Sequence, residues 1–293
     1  MRKLRFSVLG AGRIGQTLGH LLARQGHSPI GLTCRTLRSA RQAAAFIGGG
    51  APTTSNVRAA AGADLILIGT PDKTIAPLAA DLARSSLTWS GRIVAHTSGA
   101  LSSAVLEPLR RRGARVASLH PLASIAVPRS GDQRLQGTPF AIEGDPQSVR
   151  ILRSLVPTIG GVPVAIPARA KALYHLIACL LSNDLVAFLS IGFEAAAGLG
   201  LSPKAAARLY LPLVRGTIEN VARLGTVRAL TGPVSRGDLA TLRLHAEALR
   251  MLPGDLRKLH RLLALRSVTL ALEAGTITRD EATRLVRQFG SMP

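Results

Sequence analysis

The sequence predicts an α/β fold in which a doubly wound, mostly parallel sheet is followed by an all-α C-terminal domain. Three observations predict it. The β-rich run "LRFSVLG" (4–10) meets the glycine pattern "GAGRIG" (10–15) and passes directly into the helix-period stretch "QTLGHLLARQG". Strand-like and helical segments then alternate, as βαβ units do. After "VPVAIP" (162–167) no strand pattern remains, and apolar residues recur at helical period to the end of the chain. The domains are therefore expected to be 1–166 and 167–293.

In order, the first strand ends at a turn that needs Gly10. Gly12 lets a backbone approach a pyrophosphate at the helix N-terminus, and Gly15 lets helix and strand pack closely. Strand, glycine turn and helix together form the context of a Rossmann dinucleotide site. This assigns Gly10, Ala11, Gly12, Arg13, Ile14 and Gly15 to the cofactor. Further strands are expected near 28–33, 64–69, 92–96, 115–119 and 139–142. "ADLILIGT" (63–70) is continuously apolar, as a strand buried on both faces is.

The second strand bears on the choice of cofactor. An NAD site places a carboxylate at its end for the ribose 2′-hydroxyl. Here "GLTCRTLRSA" has none, and the chain carries no Asp or Glu between Gly10 and Asp64. Arg35, Arg38 and Thr36 instead suit a 2′-phosphate, which points to NADP.

Ligands of open α/β sheets gather beyond the carboxyl ends of strands. Thr70 and Pro71 shape one such end, with Asp72 expected as the next helix's N-cap. "VAHTSGALSS" (94–103) presents His96, Thr97 and Ser98 at another, and "SLHPLASI" (118–125) puts His120 at a third. Thr70, Pro71 and Thr97 are assigned to the cofactor, Ser98 and His120 to the substrate.

Helices are expected near 168–198, 202–223, 238–250, 254–274 and 278–289, with Ser202 and Thr278 as N-caps. The first opens with "KALYHLIACLLSND" (171–184). Lys171, His175, Cys179 and Asn183 lie four residues apart, a drifting stripe on one side of the helix. The helix is otherwise apolar nearly all round, which predicts burial on most sides. A desolvated lysine loses its proton more readily, so Lys171 is a candidate general acid and His175 a relay. The alternative is a lysine that snorkels at a helix start.

Composition narrows the class. The chain has 37 Lys+Arg against 16 Asp+Glu, a formal charge of +21. The charge is spread along the chain, and aromatic residues, the stacking platforms of single-strand binders, make up only 3%. No nucleic-acid partner is expected; biased base composition explains the arginines, and an anionic ligand is still attracted. Cys34 and Cys179 belong to no CxxC or Cys/His cluster, so no metal is expected and a cytoplasmic location fits. The central charge-free apolar run, 172–183, ends at Asn183 and Asp184, short of the roughly 18 residues of a span, so no membrane is expected.

The stretches "GAGRIGQTLG", "GTPDKTI", "HTSGALSS", "SLHPL", "KALYH" with "SND", and "TGPVSRGD" recur through residues 8 to about 245. In this order they resemble the Rossmann-like oxidoreductases with an uncharacterised helical C-terminal domain, relatives of the 6-phosphogluconate dehydrogenase superfamily. The resemblance implies NADP binding, reductase chemistry and a helical domain that helps form a homodimer. Ketopantoate reductase and pyrroline-5-carboxylate reductase are better-understood cousins. Lys171 matches the lysine of the first, and Asn183 one of its asparagines, while His175 and Cys179 depart from its pattern. "TGPVSRGD" resembles a segment that holds a substrate carboxylate, which implicates Ser235 and Arg236; its alternative is an interhelix turn capped by Asp238. The expected activity is NADPH-dependent reduction of a small, anionic carbonyl compound or an imine. The rival is a non-catalytic NADP(H)-binding sensor or partner-binding module.

Overall fold

The computed structural model describes residues 2–125 and 135–290. Their sheet is built by β1 (Arg5–Leu9), β2 (Ser28–Thr33), β3 (Ala51–Thr53), β4 (Leu65–Ile68), β5 (Ile93–His96), β6 (Arg115–Pro121), β7 (Pro139–Gly144) and β8 (Val162–Ala165). The helices among them are α1 (Arg13–Arg24), α2 (Leu37–Ile47), α3 (Asn56–Ala60), α4 (Asp72–Arg84), α5 (Glu107–Arg110) and α6 (Pro146–Leu155). The eight strands stand in the order β3-β2-β1-β4-β5-β6-β7-β8. Every pair is parallel except β6 with β7. Strand order therefore reverses beside β1, the switch point where doubly wound sheets bind ligands.

The core follows from the sequence pattern. Leu65, Ile66, Leu67 and Ile68 of β4 are all buried, as a central parallel strand requires. One apolar layer holds Phe6, Val8, Leu18 and Leu22, and the other Leu9, Ile68, Leu78 and Trp89. Each such side chain contributes about 1.5–3 kcal/mol on burial. The strand β3 was not expected: three residues beside Gly48, Gly49 and Gly50 make no apolar run, and Pro52 sits comfortably on this edge.

Beyond β8 the described elements are helical: α7 (Lys171–Ala195), α8 (Pro203–Ala229, broken at Gly225), α9 (Leu239–Leu249), α10 (Gly254–Glu273) and α11 (Arg279–Gly290). Two compact units result, Met1–Asn183 and Asp184–Pro293. The division falls inside α7 rather than at 166/167, because the first part of that helix packs with the sheet. The second unit has its own core of Leu242, Val268, Leu285 and Phe289.

The burial expected for α7 is not found. Only Lys171 of this helix is buried, while Leu173 is 61% and Leu181 74% exposed. The stretch Ala168–Leu199 is long and apolar enough to cross a membrane, by length and composition. The charge-free run 172–183 is only part of it, since the helix continues past Asp184 into a second apolar stretch.

Candidate active site

The glycine turn is constrained from two sides. Gly10 has φ 78°, and a Cβ there would lie 2.4 Å from Thr70 Cγ2. A Cβ on Gly15 would lie 2.8 Å from Val8 Cγ1, so this glycine sets the helix–strand contact. The amides of Gly10 and Ala11 both donate to the Thr33 carbonyl, at 3.1 and 2.8 Å. They tie β1 to β2 and are spent within the fold. The Gly12 amide is spent too, on the Gly10 carbonyl at 2.8 Å, so what remains for an anion is the first turn of α1 beyond this N-cap, where Gly12 and Arg13 are exposed.

A Cβ on Gly12 would meet only the Gly69 carbonyl, at 4.0 Å, so the approach is open. Thr70 Oγ1 beside it is buried without a hydrogen-bond partner among the described residues. Room at a helix N-terminus and an orphaned hydroxyl next to it both fit a dinucleotide. Arg35 and Arg38 are exposed just past β2, and Thr36 caps α2 by accepting from the Ser39 amide at 3.1 Å. Cys34 reaches the Ala11 carbonyl (3.6 Å), and burial pushes its thiol pKa up. Ile14 is half-buried, Pro71 is exposed and caps α4, and Thr97 donates its amide to the Ile68 carbonyl at 3.0 Å. Asp72 is thus the first residue of α4 rather than its cap. Its carboxylate accepts from Ser98 Oγ at 2.7 Å.

At the ends of β5 and β6 a second group assembles. Side chains two apart on a strand share a face, and residues three apart on a helix do too. Ser118 and His120 of β6 accordingly meet Lys171 and Tyr174 of α7. Lys171 Nζ donates to Ser118 Oγ at 2.8 Å and to the Ser98 carbonyl at 2.9 Å. Tyr174 Oη lies 2.9 Å from His120 Nδ1, with the two rings edge-on. His175 stands 6.1 Å from His120 between ring centroids, and its Nδ1 is 3.6 Å from Cys179 Sγ. Gly99 lets the His120 ring lie against its backbone: a Cβ there would be 2.9 Å from Nε2.

Burial sets the electrostatics. Lys171 is 1% exposed, and desolvation lowers its pKa from 10.5 to about 8 against the weaker opposite pull of Glu143 and Asp72. His120 is pushed down to about 4, first by burial and then by the Lys171 charge. His96 falls to about 4 for the same first reason, and its ring is fully engaged: Nδ1 accepts from the Ser98 amide, and Nε2 donates to the Ser102 carbonyl. His96 is a structural residue.

The structure thus gathers Ser98, His120, Lys171 and His175, with Tyr174, Ser118 and Asp72 added to them. Ser98 takes part through its carbonyl, since its hydroxyl is held between Asp72 and the Leu101 amide. Lys171 points into the sheet ends instead of standing at the surface of a cleft. Asn183 is exposed and twelve residues further along α7, which is about 18 Å of helix rise from Lys171. It lies apart from the cluster. In the second unit Ser235 donates to the Gly232 carbonyl, Arg236 is exposed, and Asp238 caps α9 through the Thr241 amide. The capped-turn alternative for "TGPVSRGD" therefore describes its local structure.

Fold and site together define a Rossmann-type α/β domain with an open glycine turn, a polar cluster at its strand ends and a helical C-terminal region. Residues 1–121 match the family model of a Rossmann-like domain, and residues 138–267 that of a domain of unknown function, DUF2520. The chain is a Rossmann-like domain followed by a DUF2520 domain. Among solved structures it is similar to one described as an NADP oxidoreductase, BF3122 of Bacteroides fragilis: 22% identity, 92% of this chain and 98% of that one covered, TM-score 0.71. A reductive aminase of Aspergillus terreus, solved with NADPH and ethyl levulinate, matches at 17% identity over 98% of this chain and all of the other, TM-score 0.65. Pyrroline-5-carboxylate reductase of Coxiella burnetii gives 17%, 97%, 99% and 0.57. These likenesses establish the fold. No curated protein matches the sequence.

Proposed function

We propose that the protein is an NADPH-dependent reductase of a small carbonyl compound or imine. The single observation that carries this reading is the pairing of an open, glycine-built helix N-terminus with a desolvated Lys171–His120–Tyr174 cluster at the neighbouring strand ends. A reduced nicotinamide, when bound, supplies the hydride; the protein's part is to place the substrate and provide the proton. Gly12, Arg13 and Thr70 would hold the pyrophosphate side, and Arg35 and Arg38 the 2′-phosphate. The neighbours named above support the choice, since two of them are described with NADP or NADPH. Lys171, with its pKa brought down to about 8, is the acid that the sequence suggests. Its ammonium is already held by two protein oxygens, which favours an electrostatic part for it.

The exposed apolar sides of α7 and α8 extend the proposal to a homodimer. Leu181, Leu209 and Leu213 are each more than half exposed. Asn183 and Asp184 midway along α7 suit a protein partner better than a bilayer. The test of the catalytic reading is a panel of small oxo acids and cyclic imines, followed by the loss of NADPH absorbance. Turnover of at least one member is expected; NADPH binding without any turnover would favour the sensor reading.

A further inference from the structure

We propose that Tyr174, hydrogen-bonded to His120, is the side chain that hands the proton to the substrate, with Lys171 behind it as a positioning residue. This rests on the reductase reading above. Four candidates for a proton carrier gather at the ends of β5 and β6, and burial separates them. His96 has both ring nitrogens engaged by backbone groups. Lys171 is 1% exposed and directs Nζ at the Ser98 carbonyl and Ser118 hydroxyl, both part of the sheet's end. Tyr174 and His120 are half-buried, 2.9 Å apart, and reach the outer side of the cluster.

The lysine's placement serves that pair. Its ammonium lies 5.7 Å from the centre of the Tyr174 ring, so it braces the ring as a cation over a π-face. After burial, which acts most, its charge also disfavours a positive charge on His120, together with His175 and His96 and against Asp72. A neutral imidazole with one ring proton can pass protons in either direction along the His120–Tyr174 contact.

The step balances simply. Hydride addition to the carbon of C=O or C=N leaves an electron pair on the oxygen or nitrogen, which takes the Tyr174 Oη proton. The phenolate is reprotonated from His120 Nδ1 while Nε2 takes a proton from water. One hydride and one solvent proton enter the product; His120 is left with its ring proton on Nε2 in place of Nδ1 and returns to the starting tautomer by exchange with water.

The test compares wild type with Tyr174→Phe on two electrophiles. A cyclic imine or an oxo acid needs hydride and proton, whereas a preformed N-alkyl iminium ion needs hydride alone. Tyr174→Phe should keep the melting temperature and NADPH affinity, lose about 10²–10⁴ in turnover of the first kind, and reduce the iminium ion at nearly the wild-type rate. Equal losses on both, or no loss on either, would overturn the assignment. If wild type reduces nothing, the reductase reading fails and takes this inference with it. A second readout needs no turnover: the ring ¹⁵N resonances of His120 in the free protein. They should shift in Tyr174→Phe as the Nδ1 hydrogen bond is lost; unchanged resonances would show that the pair does not exist in solution. Lys171→Met should raise the pH at which those resonances titrate; an unchanged titration would show that the ammonium does not act on His120.

Discussion

Replacing Lys171 by methionine tests the burial of its charge. In the folded chain Lys171 is 1% exposed with Nζ bonded to Ser98 and Ser118, and its pKa falls from 10.5 to about 8. That drop corresponds to about 3 kcal/mol of penalty on the charged folded form. Two charged hydrogen bonds, each worth roughly 1.5–3 kcal/mol, oppose it, so at neutral pH the net effect of the substitution is a small difference of large terms. The pH dependence is cleaner. Below about pH 8 the lysine is charged in both states and the penalty is present in full. Between about 8 and 10.5 the unfolded chain holds the proton and the folded chain does not, so stability rises with pH. Above that window both states are neutral and the penalty is gone. Urea unfolding across this range should show wild type gaining up to about 3 kcal/mol on Lys171→Met. Lys171→Arg, charged throughout, should show no such gain. A constant difference between wild type and the methionine variant would refute the burial of a titrating ammonium here.

Arg35→Ala should cost about tenfold or more in NADPH affinity by calorimetry and leave NADH affinity nearly unchanged, the loss of one charge-assisted contact of roughly 1.5–3 kcal/mol. Equal losses would remove the 2′-phosphate assignment. His96, neutral when folded with a pKa of about 4, makes the fold acid-sensitive. As pH falls from about 6.5 to 4 the unfolded chain binds a proton that the folded chain does not, and stability drops by up to about 3 kcal/mol. His96→Gln should make that part of a urea-unfolding pH profile shallower, His120 with the same depressed pKa supplying the rest, and an unchanged slope would contradict the burial of His96 as a neutral base. Light scattering should give a dimer at micromolar concentration that Leu181→Glu with Leu213→Glu converts to monomer. A wild-type monomer would sink the homodimer, and binding to lipid vesicles would assign the face to a membrane.

Much of the fold was legible because it is written in local pattern. The glycines at 10 and 15 each answer a backbone need, and β4 announces itself as four apolar residues in a row. The short strand β3 was not, since three residues on an edge require no apolar run. The site was half legible. Lys171 stood out as a lysine in an arginine-rich chain, but periodicity cannot say which side of a helix faces the sheet. The four-residue stripe of Lys171, His175, Cys179 and Asn183 drifts away from the strand ends. The pair that meets β6 is Lys171 and Tyr174, three apart, matching Ser118 and His120 two apart on the strand. Asp72 read as a cap because its type and position fit one; only the approach of Ser98 Oγ showed its actual partner. The apolar coat of α7 read as burial, although within one chain it is a surface.

In the proposed reaction hydride passes from NADPH to a small carbonyl or imine at the strand ends of the Rossmann-like domain. The most direct measurement uses NADPH deuterated at the nicotinamide C4 with the panel of oxo acids and cyclic imines, and mass spectrometry of the products. The expected product carries one deuterium on the reduced carbon, formed by wild type and strongly diminished in Tyr174→Phe. Tight NADPH binding with no deuterium in any product across the panel would contradict it.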